Sequence, residues 1–263
     1  MQIQGSTVLL TGATGGIGQA IARALGARGA SLILTGRRAE VLEPLAAQLR
    51  GRAITVDLAS APEVDRLLSE AGRVDILIAN AALPGSGMLD ALTEEQIDRA
   101  LDVNLRAPIM LTRALSPDMA ARRSGHLVYI SSLAGKVATP GGSIYNATKF
   151  GLRGFASAMR AELRSSGVGV STIFPGFISD AGMFADTGVA LPPGVRTRTP
   201  EQVADAVLSA IERNRGEIDV APLPLRAGAT LAGFAPELSH AITRRFGGEE
   251  IARQMAAAHH DKR

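Results

Sequence analysis

Tyr145 and Lys149 stand four apart in Tyr145-Asn146-Ala147-Thr148-Lys149, a spacing that puts both on one face of a helix. A neighbouring ammonium favours a phenolate, so a phenol that ordinarily titrates near ten can exchange a proton closer to neutrality. The chain has only two Tyr and three Lys (Lys136, Lys149 and Lys262), which makes this pairing a sparse one. Ser131 and Ser132 close an apolar run. A hydroxyl there can hydrogen-bond a substrate carbonyl or its developing oxyanion; a plain strand-end turn is the alternative. Asn104, in Asp102-Val103-Asn104-Leu105, falls inside a helical stretch where Asn is disfavoured. It reads equally as a satisfied buried polar group or as part of a proton relay.

A second group of residues suits a phosphate. Thr11-Gly12-Ala13-Thr14-Gly15-Gly16-Ile17-Gly18 follows a strand-like run and opens a helix-like one. Small residues let the backbone approach a pyrophosphate, whose charge lies at the helix N-terminus. Gly12, Gly16 and Gly18 fall as Gly-x-x-x-Gly-x-Gly, unlike the more common Gly-x-Gly-x-x-Gly, and a tight turn without a ligand is the competing reading. After the second apolar run come Gly36, Arg37 and Arg38. A carboxylate there would read a ribose 2′-hydroxyl, whereas a guanidinium can hold a 2′-phosphate in a bidentate grip. Arg37 and Arg38 therefore favour NADP(H) over NAD(H), against the alternative of two solvated arginines at a helix start. Asp57, followed by Leu58, and Asn80 end the third and fourth runs. Asp57 can accept from an adenine amino group, and either residue can instead cap a helix or a turn.

These residues need a frame. Strands are expected at 7–10, 31–35, 53–57, 74–79, 126–131, 168–174 and 217–220. Helices are expected at 16–28, 38–50, 61–71, 93 to about 122 with a kink or break at Pro108, 143–165 and 200–213. Runs such as Ile76-Leu77-Ile78 are apolar at consecutive positions, which implies burial on both faces, as in a parallel sheet between helix layers. The repeated β–α units predict an α/β fold: a doubly wound, Rossmann-like parallel sheet with helices on both faces. Ligands then bind beyond the carboxyl ends of the strands, where every residue named above falls. Nothing divides the chain, so residues 1–263 read as one domain. The Pro/Gly-rich stretch 176–199 reads as a substrate lid. Residues 223–263 read as a C-terminal helical appendage, with helices placed at 235–246 and 249–258.

Composition excludes several classes. No Cys means no disulfide, thiol nucleophile or Cys-ligated metal. A net charge of +3 with scattered basic residues and 3% aromatics argues against a nucleic-acid partner. The tail His259-His260-Asp261-Lys262-Arg263 reads as a solvated end rather than a metal site. No targeting segment is visible, and the uncharged stretch between Arg226 and Glu237 is too short to span a bilayer. A protein without a membrane partner, in the cytoplasm, is expected.

Taken together, the residues resemble the short-chain dehydrogenase/reductase family over nearly the whole chain. Thr11–Gly18 is similar to its cofactor turn. Asn104, Ser132, Tyr145 and Lys149 are similar to its catalytic tetrad, with Tyr145 thirteen positions after Ser132, and Pro175-Gly176 to its motif after the sixth strand. The resemblance implies that Tyr145 is the general acid/base and that Ser132 holds and polarises the carbonyl. Lys149 would lower the Tyr145 pKa and bind the nicotinamide ribose, and Asn104 would anchor a water linking Lys149 to solvent. It also implies a cofactor set of Gly12, Thr14, Gly16, Ile17, Gly18, Arg37, Arg38, Asp57, Leu58, Asn80, Tyr145, Lys149, Pro175, Gly176 and Ile178, and a homodimer or homotetramer. Two departures stand out. Ala79-Asn80-Ala81-Ala82 replaces Asn-Asn-Ala-Gly, which should loosen one cofactor contact. Asp180 replaces a Thr that hydrogen-bonds the carboxamide, so Asp180→Thr is expected to keep or improve cofactor affinity. Met88, Leu89, Met183, Phe184, Val189 and Leu191 suggest an apolar pocket for a small hydrophobic carbonyl or alcohol substrate. The expected activity is an NADP(H)-dependent carbonyl/alcohol oxidoreductase. A non-catalytic NADP(H)-binding sensor or scaffold is one alternative, and lyase or isomerase chemistry with transient nicotinamide use is another.

Overall fold

Strands whose side chains are apolar at successive positions need cover on both faces, and the structure supplies it. The computed structural model describes residues 1–180, 184, 196–235 and 237. Among them are strands β1 (Thr7–Leu10), β2 (Ser31–Gly36), β3 (Arg52–Thr55), β4 (Ile76–Ala79), β5 (Gly125–Ile130), β6 (Val168–Pro175) and β7 (Glu217–Val220). They form one sheet in the order β3-β2-β1-β4-β5-β6-β7, parallel throughout. The helices are α1 (Gly16–Ala27), α2 (Ala39–Gln48), α3 (Ala61–Ala71), α4 (Glu94–Leu101), α5 (Ala107–Ala121), α6 (Ser143–Glu162), α7 (Pro200–Arg213) and α8 (Leu223–Phe234).

Successive strand residues feed two separate cores. Val8 and Leu10 of β1, Ile76 and Ile78 of β4, and Val128 and Ile130 of β5 pack with Ile21 and Leu25 of α1 and Val207 and Ile211 of α7. The intervening Leu9, Leu77, Leu127 and Tyr129 pack on the other face with Leu67 of α3, Leu111 and Leu115 of α5 and Leu152 of α6. Each such side chain contributes about 1.5–3 kcal/mol on full burial. The doubly wound fold follows from the period-2 geometry of strands that are apolar on both faces. Helix starts are set locally. Thr93 with Gln96 and Thr199 with Gln202 form capping boxes at α4 and α7, and Ser60 caps α3 by accepting from the Glu63 amide.

Two elements differ from expectation. The long helix does not break at Pro108. A π-turn spans Asp102–Arg106 and leads straight into α5, with the Ala107 amide donating to the Asp102 carbonyl. In a regular helix the Pro108 ring would collide with the carbonyl four residues back, that of Asn104. The extra residue of the π-turn removes that register. The second difference is one of position: α8 forms at Leu223–Phe234, inside the expected helical appendage but ahead of the helices placed at 235–246 and 249–258. The helices expected at 235–246 and 249–258, most of the 176–199 loop, and the His259–Arg263 tail lie outside the described residues. Among the described residues no helix is long and apolar enough to cross a membrane.

Candidate active site

The sheet order reverses between β1 and β4, and a cleft opens there at the carboxyl ends of the strands. It has a volume of about 560 Å³ and is lined by the glycine turn, the ends of β2 to β4 and part of α4. Its walls include the predicted Gly12, Thr14, Gly16, Ile17, Gly18, Arg37, Arg38, Asp57, Leu58 and Asn80.

The turn is built for close approach. Gly12 has φ +65°, and a Cβ on it would stand 2.7 Å from Ala81 Cα; a Cβ on Gly18 would stand 2.2 Å from the Gly12 carbonyl oxygen. No other residue fits either position. Thr11 and Asn80 clasp the two strand ends. Thr11 Oγ1 accepts from the amides of Asn80 (3.0 Å) and Ala81 (3.1 Å), and Asn80 Nδ2 donates to the carbonyls of Thr11 (3.0 Å) and Gly12 (3.1 Å). Asn80 therefore shapes the turn with its amide, and Thr11, whose side chain sequence reasoning left without a role, is its partner. Arg37 and Arg38 are exposed at the end of β2, and Arg38 donates to the Thr14 carbonyl at 2.7 Å.

Asp57 makes the contacts of a turn residue. Its Oδ1 accepts from the Ala59 amide at 3.1 Å and its Oδ2 from Arg99 at 2.8 Å. Burial works against its ionisation, but the Arg99 hydrogen bond, the Ala59 amide and the charges of Arg99 and Arg37 outweigh it and hold the carboxyl below its ordinary range. Leu58 is a core residue beneath the cleft. Nothing in the sequence pointed to Arg99: it stands 42 positions from Asp57, on a helix with several other charged residues.

Tyr145, Lys149 and Ser132 come together at the ends of β5 and α6, apart from the cleft walls just described. The Ser132 hydroxyl lies on the Tyr145 side of the cluster and favours the ionised phenol, and its Oγ accepts from the Ala134 amide at 3.1 Å. The loop carrying Ser132 is fastened to α6 by Asn146, whose Nδ2 donates to the carbonyls of Ala134 (2.7 Å) and Val137 (2.9 Å). Ser131 is buried and donates to the Lys149 carbonyl, a structural contact. Lys149 is 2% exposed, and its Nζ donates to the Ile130 carbonyl at 3.0 Å. Burial brings its pKa down to about 8. The expected lowering of the Tyr145 pKa by Lys149 is not what the geometry gives. Lys149 Nζ stands 5.5 Å from the centre of the Tyr145 ring. The protein packed round the phenol pushes it up to about 12, against a smaller opposite effect of the Ser132 hydroxyl. Tyr145 still keeps part of its surface open.

Asn104 sits in the π-turn, 1% exposed, and is tied to the loop after β4. Its Oδ1 accepts from the Leu83 amide at 2.7 Å, and its Nδ2 donates to the Leu83 carbonyl at 2.9 Å and to Thr148 Oγ1 at 3.3 Å. Of the two readings left open, the satisfied buried polar group is visible directly, and its partner Thr148 immediately precedes Lys149. Pro175 and Gly176 close β6. The Pro175 carbonyl lies 3.5 Å from Ser132 Oγ, and the Gly176 amide donates to the Val220 carbonyl at 3.1 Å. The Ile178 side chain is in the core. Its backbone is bridged to Arg198 through the Phe177 carbonyl and the Ser179 amide, not through its own groups. Asp180 is exposed with φ +62°. Met88 and Leu89 are exposed, and Phe184 packs on Phe177 with ring centroids 4.9 Å apart. Met183, Val189 and Leu191 lie outside the described residues.

The short chain dehydrogenase family model matches residues 6–190. The chain belongs to that family. This short-chain dehydrogenase is 36% identical to "Ketoacyl reductase HetN" of Nostoc sp., covering 97% of this chain and 93% of that one. It is also 36% identical to "3-oxoacyl-[acyl-carrier-protein] reductase FabG" of Rickettsia conorii, over 68% of this chain and 75% of that one. Among solved structures, a short-chain dehydrogenase from Sphingobium yanoikuyae in complex with NADPH superposes with a TM-score of 0.77 at 29% identity, covering 89% of this chain and 95% of that one. Membership makes the chain an oxidoreductase. The nicotinamide dinucleotide that the family implies fits the residues present. The glycine turn is a cradle that a Cβ would fill, and the cleft volume is in the range of ligand sites. On its β2 side the buried Thr35 Oγ1 has no hydrogen-bond partner among the described residues.

Proposed function

We propose that the protein interconverts a carbonyl and an alcohol with NADP(H) in preference to NAD(H), and that Tyr145 is the proton donor and acceptor. The observation that carries this reading is the cluster of Tyr145, Ser132 and a buried Lys149 at the carboxyl end of the sheet. A bound nicotinamide supplies the hydride. The chain does the rest. Ser132 Oγ donates to the substrate oxygen and holds it beside the phenol. Tyr145, whose pKa is pushed up to about 12, keeps its proton at neutral pH and so is loaded to protonate an alkoxide. Lys149, brought down to about 8, is charged at neutral pH, and its ammonium would bind the nicotinamide ribose. Asn104 holds the loop 81–83 against α6 through Leu83 and Thr148. The glycine turn would hold the pyrophosphate, Ile178 has backbone groups free among the described residues for the carboxamide, and Arg37 and Arg38 would hold the 2′-phosphate. Support for the last point is that β2 ends in Gly36-Arg37-Arg38 with no carboxylate. The relatives named as ketoacyl reductases point to an oxo-acid derivative as the substrate class.

Tyr145→Phe is the deciding experiment. Turnover in a carbonyl-dependent NADPH oxidation assay should fall at least about a hundredfold, while NADPH affinity by fluorescence titration stays near wild type. Unchanged turnover removes Tyr145 from the chemistry. In the reductive direction kcat/KM should be level up to about pH 8 and fall above it as Lys149 loses its proton. A profile level through pH 9.5 would contradict the role given to Lys149.

A further inference from the structure

The cleft carries three guanidiniums, Arg37, Arg38 and Arg99, and among the described residues lining it one carboxylate, Asp57. Strand pairing fixes their neighbourhood. Gly36 is in register with Thr55, and the Val56 amide donates to the Gly36 carbonyl at 3.1 Å. Asp57 thus follows immediately on the strand beside the one that ends in Arg37, and the charge of Arg37 is felt at its carboxyl. A dianionic 2′-phosphate held by Arg37 and Arg38 would therefore face Asp57 across adjacent strand ends. Left bare, that carboxylate would oppose it. It is not bare: Arg99 reaches from α4 and pairs with Asp57 Oδ2 at 2.8 Å. The two side chains keep about a third of their surface, 34% and 30%, so the pair is not a desolvated core contact that the fold needs. With Asp57 and Arg99 cancelling each other, Arg37 and Arg38 leave the site positive.

We propose that Arg99 is a specificity-determining residue of the cofactor cleft, which neutralises Asp57 and so keeps the site selective for the 2′-phosphorylated dinucleotide. The proposal rests on the NADP(H) reading above and adds how a site with a carboxylate at the end of β3 tolerates the phosphate. It also assigns Arg99 an indirect part, since its guanidinium is engaged by Asp57 rather than turned to the ligand.

The test compares wild type, R99M, R99K, D57N and the double variant R99M/D57N by fluorescence titration with NADPH and with NADH. The reading is the ratio of the NADH Kd to the NADPH Kd. R99M should lower that ratio roughly three- to thirtyfold, the order expected for a partly exposed charge facing a dianion. The loss should fall on NADPH, with NADH nearly unchanged. R99K, which keeps the cation, should retain most of the ratio, and D57N should hold or raise it. The double variant should return to within about threefold of wild type, because removing the carboxylate removes the need for its partner. Equal weakening of both cofactors in R99M would overturn the proposal by showing a structural role alone. A double variant as poor as R99M would overturn it by showing that Arg99 touches the phosphate itself. If R99M does not fold, D57N and R99K still decide: a lowered ratio in D57N contradicts the mechanism. A wild-type ratio near one is a separate failure. It sinks the NADP(H) reading, while R99M must still move the ratio further towards NADH for the proposal to stand.

Discussion

Thr35 and Arg37 are neighbours at the end of β2 with opposite relations to solvent, and each makes a distinct prediction. Thr35 is fully buried, with a hydroxyl that finds no partner among the described residues. An unsatisfied buried hydroxyl costs about 1–3 kcal/mol. Thr35→Val, of nearly the same shape, should therefore raise the thermal stability of the cofactor-free protein by about 1 kcal/mol; a loss of stability would mean that the hydroxyl is satisfied in solution. Arg37 is exposed, so its removal should leave stability alone. Arg37→Ala should weaken NADPH by about tenfold or more and NADH little, the share of one charge-assisted contact. An equal loss for both cofactors would remove Arg37 from phosphate reading. Asp180 revises an expectation. Its φ of +62° suits Asp or Asn and opposes a β-branched residue. Asp180→Thr must bend the backbone first, so the informative variant is Asp180→Asn, which keeps the conformation and removes the charge. Its NADPH affinity, read by titration, should equal or exceed wild type, and a collapse would give the carboxylate a positive role.

At the scale of elements, the β5–β6 pair carries a pH dependence of its own. His126 on β5 is 1% exposed and meets Ser171 on β6 at 2.8 Å. Burial, with the charges of the first residue's amine and Arg160, brings its pKa down to about 3. In the unfolded chain it returns to the ordinary 6.5, so below that value the unfolded state binds the extra proton. Stability is then present above pH 6.5 and lost as pH falls towards 3, by up to about 1.4 kcal/mol per pH unit. Urea unfolding between pH 7 and 4 should show that slope, and His126→Asn should flatten it; an unchanged slope in the variant would assign the acid loss to the carboxylates. The same scale shows what the sequence could and could not disclose. Strand pairs such as β4 and β5 were legible because apolar runs buried on both faces have a local signature. The π-turn was not, since it depends on Pro108 acting four residues back on Asn104 within an otherwise ordinary helical pattern. Within the expected helical appendage the start of α8 was not legible, because Leu223-Pro224-Leu225-Arg226-Ala227-Gly228 is rich in small residues and Pro, and carries little amphipathic pattern. The Arg99–Asp57 pair was missed because its partners are 42 positions apart and only the folded chain brings α4 to the end of β3.

For the whole molecule, the proposed cofactor lies across the seam where the sheet changes direction, and the groups it would touch come from both halves. The glycine turn follows β1, the arginines follow β2, and Tyr145 and Lys149 lie beyond β5 on α6. Between them the Thr11–Asn80 clasp and the Asn104–Leu83 pair join β1, β4 and the π-turn. A ligand spanning that seam should therefore stabilise the molecule as one unit, not only the loops near it. Binding to the folded state alone at about a hundred times Kd adds about 2.7 kcal/mol. For a domain of this size that corresponds to a rise in Tm of roughly 5–10 °C. NADPH at such a concentration should move a single, still cooperative transition by that amount, and NADH at the same concentration should move it less. Equal shifts would show that the arginine end does not discriminate. A shift with neither would mean that the glycine cradle, for all its room, does not hold a dinucleotide. A transition that split in two on adding NADPH would show that only one half of the sheet is engaged, against the proposed reach of the cofactor from the glycine turn to Tyr145 and Lys149.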